Sequence, residues 1–350
     1  MIFNFFLMPK VSVQIVTWNS ERYLPNCLES LGRQTFTDFS VLVVDNGSQD
    51  ASVRFVRSHY PTAAVLENFK NLGYAKANDQ GIALAKGEYV LVMNPDVVLD
   101  EAFLERLVGF ADTHPDGGSF TGKTLKIFGQ TTSADDTDSQ VQQIIKSDEI
   151  DSAGLEVHKT RKAINRGEGT RDTGQYDAVQ AVFGASGSCA LYRRTALEAI
   201  KTYGEYFDHD FFAYKEDIDL AWRLRLAGWN AWYYPPAVCY HHRRFQNLER
   251  RGKLKAWGAR TQVSKRLRRA SFKNHHLLLV KNEQLTNVIL GLPWLLLREI
   301  GFISYSLILE PFQWRTIIIF FQQLPNALRK RRLIMAHAKA RPREIRKWFK

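Results

Sequence analysis

Phe39-Ser40-Val41-Leu42-Val43-Val44-Asp45-Asn46-Gly47-Ser48 decides how the chain is read. A nearly unbroken apolar run of strand length predicts a strand covered on both faces. Asp45-Asn46-Gly47-Ser48 closes it with turn residues that can also cap a following helix. The same pattern repeats on either side. Val11–Val16 is a short β-rich run ending at Thr17-Trp18-Asn19-Ser20, with Ser20 expected to cap a helix through about Leu31. Beyond Ser48 a helix is expected to about His59, before Pro61. Val65–Leu66 then reads as a short strand. Asn71-Leu72-Gly73 leads into a helix to about Lys86, and Gly87 stops it. Tyr89–Met93 is a further buried strand, ending at Asn94-Pro95-Asp96. Strands alternating with helices of this length make βαβ units and a mostly parallel sheet. Such sheets bind ligands beyond the carboxyl ends of their strands, where Thr17, Asn19, Asp45 and Asp96 all fall.

Further along, residues 116–178 are rich in Gly, Ser, Thr, Asp and Gln and read as loops and short strands of a surface lobe. Phe183–Ser188 is a small-residue segment before apolar Cys189–Tyr192. Glu216-Asp217-Ile218-Asp219 opens a helix through about Leu226, with Gly228 as its stop. Trp232–Tyr234 reads as a last strand, ended by Pro235-Pro236, and His241-His242 follow.

The 350 residues carry a net charge of +12, but unevenly. Residues 241–350 hold 25 Lys and Arg against five acids, a net of +20, which leaves −8 on residues 1–240. An acidic body with a basic tail is no uniformly basic nucleic-acid binder and implies two functional regions. The 45% hydrophobic content excludes wholesale disorder. Cys27, Cys189 and Cys239 form neither a CxxC pair nor a disulfide framework, which fits a reducing compartment. Met1–Met8 is apolar but lacks a basic lead and a small-residue cleavage site, so no signal peptide is expected. In the tail, basic blocks alternate with the apolar runs Leu285–Leu297, Phe302–Leu309 and Ile317–Phe321. None reaches the ~20 uncharged residues of a spanning helix. The expectation is amphipathic or re-entrant helices in the membrane interface, with Arg329-Lys330-Arg331-Arg332 and residues 341–350 against anionic headgroups. A helical hairpin packed on the main domain, with a solvated basic face, is the alternative.

Four constellations can carry chemistry. Asp96, after a buried strand, can hold a divalent cation against a diphosphate, or simply belong to a Pro-containing turn. Asp45, with Asn46, can accept from the imide N–H of a pyrimidine, or form an Asx-turn. The carboxylates of Glu216, Asp217 and Asp219 can raise one another's pKa and supply a general base. They can equally compensate a helix dipole or pair with Arg223 or Arg225. His241 and His242 can ligate a metal or phosphate, with Arg243 and Arg244 beside them, or begin a basic surface cluster.

Together these segments resemble the family 2 glycosyltransferases of the GT-A fold, most closely the rhamnosyltransferase-like branch. The matching stretches are residues 11–20 (VSVQIVTWNS), 43–48 (VVDNGS), 71–81 (NLGYAKANDQG), 92–97 (VMNPDV), 183–192 (FGASGSCALY) and 211–229 (FFAYKEDIDLAWRLRLAGW), then His241-His242. They cover roughly residues 10–245. The resemblance implies a GT-A domain over residues 1–245, with residues 246–350 left as a basic, apolar-patched helical region. It further implies a nucleotide-sugar site of Thr17, Asn19, Asp45, Asn71, Gly73, Asn78, Asn94 and Asp96. Asp96 stands at the end of the family's Asp-x-Asp metal motif, whose first position is here Asn94. Asp96 with His241 or His242 would hold Mg²⁺ or Mn²⁺. Asp217 matches the catalytic base, with Glu216 beside it toward the acceptor. The implied reaction is inverting transfer of rhamnose or another hexose from a dTDP or UDP donor. The acceptor would be a lipid-linked or growing surface glycan, at the cytoplasmic membrane face, in a peripheral protein with no nucleic-acid partner. A nucleotidyltransferase would need a Gly-rich, basic phosphate loop after the first strand, which residues 16–20 do not provide. A non-catalytic sugar-nucleotide scaffold would not need Asp96 together with Glu216-Asp217.

Overall fold

The computed structural model describes residues 8–130, 143–242 and 263–350. Arg243 and Arg244 lie outside them, as does most of the Met1–Met8 lead. The sheet is built outward from β1 (Val11–Thr17), which lies between β2 (Phe39–Asp45) and β4 (Tyr89–Met93), all parallel. β3 (Ala64–Glu67) extends β2, also in parallel. Beyond β4 come β11 (Cys189–Arg193), β6 (Gly117–Gln130), β12 (Asn230–His242) and β10 (Gln180–Val182). Of these pairings only β6 with β12 is parallel. β5 (Val97–Leu99) pairs with β12, and β7 (Gln143–Ser152) with β6. A separate hairpin joins β8 (Leu155–Val157) to β9 (Ala163–Asn165).

Helices cover both faces, which is why every residue of β4 is buried. On one face α1 (Leu24–Gly32) and α4 (Phe103–Asp112) set Leu24, Leu28, Phe103 and Leu107 against Val11, Val13, Leu91 and Met93. On the other, α3 (Tyr74–Leu84), α5 (Arg194–Ala199) and α6 (Glu216–Leu226) set Ala75, Ile82, Leu197 and Leu220 against Val90 and Val92. α2 (Ser52–His59) follows β2. Alternate residues of β4 thus face opposite cores, as a two-sided strand requires.

Three local expectations are corrected. Ser20 does not cap α1: its carbonyl closes a turn with Tyr23 and Leu24, and the helix starts at Leu24, just before Pro25. Residues 116–178 are not only a surface lobe, because β6 is a 14-residue strand inside the main sheet. Its Gly and Thr content hid it. Gly122 is required there, since a Cβ would stand 2.0 Å from the Ala237 carbonyl oxygen. Pro235-Pro236 does not end β12. The prolines sit where the β6 register shifts between Tyr233 and Val238, and pairing resumes through His242.

The C-terminal helices are α7 (Lys265–Asn282), α8 (Leu285–Leu309), α9 (Trp314–Ala336) and α10 (Pro342–Arg346). Two of the expected apolar runs are one helix, α8, which continues through Arg298-Glu299. The charges do not break it because Glu299 accepts from His275 (2.7 Å) and His276 (3.0 Å) on α7. α7 and α8 form an antiparallel hairpin, pinned at its far end by Arg268 to Glu310 (2.9 Å). Leu277, Leu278, Ala327, Ile345 and Phe349 share a core with Phe183, Phe211 and Trp222 of the body. Two residues of the expected headgroup-facing block are engaged inward. Lys330 is buried on Glu205 (2.7 Å) and Asp208 (2.6 Å), and Arg331 donates to the carbonyls of Val280 and Glu283. Arg329 and Arg332 are exposed.

Candidate active site

A cleft of about 740 Å³ opens where the carboxyl ends of β1, β2 and β4 meet the loop before α6. Asn71, Asn94, Asp96, Glu216, Asp217 and His241 all line it, although they are spread over 170 residues of sequence. Asn46, Tyr74 and Gly187 line it too.

One side of the cleft is organised by Asn46. Its Nδ2 donates to Asn71 Oδ1 (3.2 Å) and the Gly73 carbonyl (3.3 Å), and its Oδ1 accepts from Leu72 N (2.9 Å). Residues 71–73 are thereby tied to the end of β2. Gly73 has φ +92°, and a Cβ would meet the Phe212 ring at 2.5 Å, so only glycine fits. Asp45 makes the Asx-turn: its Oδ2 accepts from Gly47 N (3.1 Å) and Ser48 N (2.9 Å). Asp45 Oδ1 and Thr17 Oγ1 are buried without a hydrogen-bond partner, and the two residues are register partners across β1 and β2. Unsatisfied buried polar atoms are costly and mark where a ligand group belongs. The Asx-turn reading of Asp45 is thus observed on one oxygen, and the other is left without a partner; Asp45 and Thr17 lie behind the cleft rather than in its lining. Asn19 serves the loop: it has φ +50°, and its Oδ1 accepts from Gln49 N (2.8 Å). Asn78 does not reach the cleft. Its Oδ1 accepts from Gln14 Nε2 (2.6 Å) and it is fully buried, joining α3 to β1.

Asp96 and His241 meet at the cleft. The β12 register shift brings His241 Nε2 to 3.3 Å from Asp96 Oδ1, and Asp151 Oδ2 lies 2.9 Å from its Nδ1. Burial disfavours a charged His241, but the carboxylates of Asp96 and Asp151 outweigh it and raise its pKa to about 10. His242 instead packs its ring against Tyr23, centroids 5.4 Å apart, and is not in the cleft. Among the described residues, no group of three or more His, Cys, Asp or Glu side chains is arranged to hold a metal ion. Asp96 Oδ1 faces the His241 imidazole, and with that nitrogen, once it has given up its proton, it makes a sparse donor set. That set fits a hard divalent cation that keeps water and takes its other oxygens from a substrate.

Glu216 and Asp217 open α6. Asp217 Oδ2 accepts from Gly187 N (3.2 Å) and its Oδ1 from Ile218 N (2.8 Å). Burial raises the Asp217 pKa, and these N–H groups oppose the rise. Glu216 Oε2 is buried with no partner. Burial first, then the Asp217 charge, push Glu216 up to about 8. Both carboxyls are thus pushed up and titrate as a pair, and the N–H groups on Asp217 make it the more readily ionised of the two. Asp219 turns away, to Arg223 Nε (2.9 Å), as one sequence alternative expected.

Sequence reasoning missed Tyr74, whose hydroxyl lies 2.9 Å from Asn94 Oδ1 and 3.1 Å from the Gly187 carbonyl. It missed Asp151 behind His241, and Arg266, which lines the cleft with its guanidinium 4.1 Å from the Phe212 ring centroid. Nothing local marks these residues. Each is placed by a strand or helix far away in sequence.

The sequence profile of Glycosyl transferase family 2 matches residues 12–201, more than half of the chain. The chain belongs to glycosyl transferase family 2. A second profile, Glycosyl transferase family group 2, matches residues 161–326. The transferase is 30% identical over 242 residues to an N-acetylglucosaminyl-diphospho-decaprenol L-rhamnosyltransferase of Mycobacterium tuberculosis, covering 66% of this chain and 75% of that one. An Escherichia coli chondroitin synthase is 32% identical over 101 residues, 28% of this chain and 15% of that protein. Among solved structures, residues 1–349 of Staphylococcus aureus TarS in complex with UDP match with a TM-score of 0.55. Identity is 19%, with 97% of this chain and 89% of that chain covered. GalNAc-T7 with UDP, GalNAc and Mn²⁺ matches with a TM-score of 0.56 at 12% identity, over 78% of this chain and 48% of that one. At these identities the structural likeness speaks for the fold alone. The fold is the mixed α/β, GT-A type that the sequence resemblance implied.

Proposed function

We propose that this transferase moves a hexose, with inversion, from a nucleoside-diphosphate donor to a lipid-linked glycan acceptor at the cytoplasmic face of a membrane. Asp217 acts as the base. The observation that carries the reading is the Glu216-Asp217 pair in one cleft with Asp96 and His241. Asp217 has its charge favoured by backbone N–H groups, while burial and the Asp217 charge push Glu216 up to about 8.

Asp217 takes the proton of an acceptor hydroxyl, and that oxygen attacks the anomeric carbon opposite the departing diphosphate. Thr17 and Asp45 offer their unpartnered oxygens to the base. Asn71, Gly73 and Asn94 shape the pocket around the donor. Asp96 and His241 would hold Mg²⁺ or Mn²⁺, which when bound neutralises charge building on the leaving diphosphate. Arg266 faces the same cleft and can add to that stabilisation. The mycobacterial relative's name supports an L-rhamnosyl donor, of dTDP type by resemblance, and a prenyl-diphosphate-linked acceptor. UDP in the TarS neighbour keeps a UDP donor open.

We read residues 1–245 as the transferase unit and 246–350 as its membrane-associating part. Leu285–Ser306 is long and apolar enough to cross a membrane by length and composition. Yet α8 meets α7 through Glu299 and, just past its end, Glu310, and its start receives Arg161 on the Asn287 carbonyl. An in-plane, peripheral helix with Leu290, Trp294, Leu297 and Ile300 exposed is therefore the reading we propose.

The test is Asp217→Asn with a panel of nucleotide sugars. Donor affinity by calorimetry should persist while transfer falls by roughly 10²–10⁴-fold. Turnover equal to wild type would remove Asp217 from the role of base.

A further inference from the structure

The segment that delivers Glu216-Asp217 to the cleft is conformationally unusual. Phe212 (φ +62°), Tyr214 (φ +70°) and Lys215 (φ +67°) all have positive φ without being glycine. Residues with bulky side chains adopt this conformation only where surrounding structure compels it, at of order 1–3 kcal/mol each. Phe212, Ala213, Tyr214 and Lys215 all line the cleft, and Lys215 is the residue immediately before α6.

What compels it comes from outside the sheet domain. Asn274, fully buried on α7, places its Nδ2 within 2.8 Å of the Phe211 carbonyl, 2.9 Å of the Ala213 carbonyl and 2.8 Å of the Tyr214 carbonyl. The adjacent Lys273 reaches the Asp210 carbonyl and Gln323 Oε1. Two helix turns further on, Lys281 and Asn282 hold Asp219 at 2.9 and 2.7 Å, fixing the first turn of α6. α7 thus grips the backbone before the acidic pair and the side chain just after it. Its neighbouring residues His275 and His276 hold Glu299 of the exposed apolar helix α8.

We propose that Asn274 is a positioning residue of the transferase site. Its two amide N–H groups are shared among the carbonyls of Phe211, Ala213 and Tyr214 and so hold residues 211–215 in the strained course that aims Asp217 into the cleft. This rests on the reading of Asp217 as base. The C-terminal helices are then a working wall of the active site, and their attachment to a membrane bears on the same helix that sets the base.

Asn274 touches no reacting group, so the test separates geometry from folding. Asn274→Ala, Asn274→Cys and Asp217→Asn are compared with wild type in the full chain. Donor affinity is read by calorimetry with Mn²⁺, thermal midpoint by unfolding, and kcat at saturating acceptor. In Asn274→Ala, kcat should fall at least tenfold while donor Kd stays within twofold, because the Asn46 bonds that tie residues 71–73 to the end of β2 do not involve Asn274. If Asn274→Ala does not fold, Asn274→Cys, small and only a weak donor, is read by the same criteria. Unchanged kcat per folded molecule alongside an inactive Asp217→Asn overturns the positioning role and leaves the base standing. Full activity of Asp217→Asn overturns the base reading itself. If neither Asn274 variant folds, the residue belongs to the fold and the proposal fails.

Discussion

At the residue scale the decisive feature is an asymmetry between two neighbouring carboxyls. Glu216 is buried and Asp217 half-buried, and only Asp217 receives N–H groups from outside its own residue. Desolvation and mutual repulsion therefore put the proton on Glu216, with a pKa of about 8 against 4.5 when free. This has a stability consequence with a definite sign. Below pH 4.5 Glu216 is protonated folded or unfolded. Between 4.5 and about 8 only the unfolded form ionises, so its release of a proton makes stability fall as pH rises. Above about 8 the loss is complete. Glu216→Gln should remove that slope: its thermal midpoint should exceed wild type at pH 8.5 by a few degrees, at about 1–2 °C per kcal/mol for a chain of this length, and match it near pH 4. A difference independent of pH would show that Glu216 is not held protonated. The candidates Asp45, Asp96, Glu216 and Asp217 were legible as residues because each stands at the end of a strand or start of a helix. Whether His241 or His242 faced Asp96 was not, since one residue of register reverses the direction of a strand side chain.

At the element scale, α6 is held by charges from two directions. Asp208 and Asp219 are buried, and Lys281 reaches both, while Lys330 reaches Asp208. Burial alone would raise the Asp208 pKa, but the two ammonium groups hold it well below the usual carboxylate range. A buried pair is not necessarily a large net gain, yet breaking one side is expensive, at about 3–5 kcal/mol. Lys281→Met should therefore lower unfolding free energy by roughly that amount in denaturant titration. A loss below about 1 kcal/mol, the range of exposed pairs, would mean that Lys330 alone satisfies Asp208. Strands β1, β2 and β4 were readable because two-sided burial writes an apolar run. β6 was not: its Gly and Thr residues fit close neighbours such as Ala237 and gave no hydrophobic period. The break expected at Pro235-Pro236 became a register shift because β6 resumes pairing beyond it.

At the scale of the whole molecule, the +20 tail divides into charges that are spent inside and charges that face out. Lys273, Lys281 and Lys330 are buried in the network around α6. Arg329, Arg332, Arg341, Arg343, Arg346, Lys347 and Lys350 are exposed, near a helix that exposes Leu290, Trp294, Leu297 and Ile300. If that face meets lipid, the full chain should co-sediment with anionic vesicles. Binding should weaken from 0.1 to 1 M salt as the screening length falls from about 10 to about 3 Å. The Leu297→Glu, Ile300→Glu double variant should lose binding at both salts. Equal binding by the double variant would exclude α8 as the contact. The sequence by itself determined the α/β class, the family, the strand-end acids and the split of charge. These follow from local burial patterns and from composition, which need no partner to be read. Only the tertiary structure decided that His241 joins Asp96, that Glu216 and Asp217 share their cleft, and that α7 of the basic tail grips the loop before α6. Each depends on which groups from separate stretches of the chain meet, and desolvation, pairing and strain are set by those meetings and by nothing local.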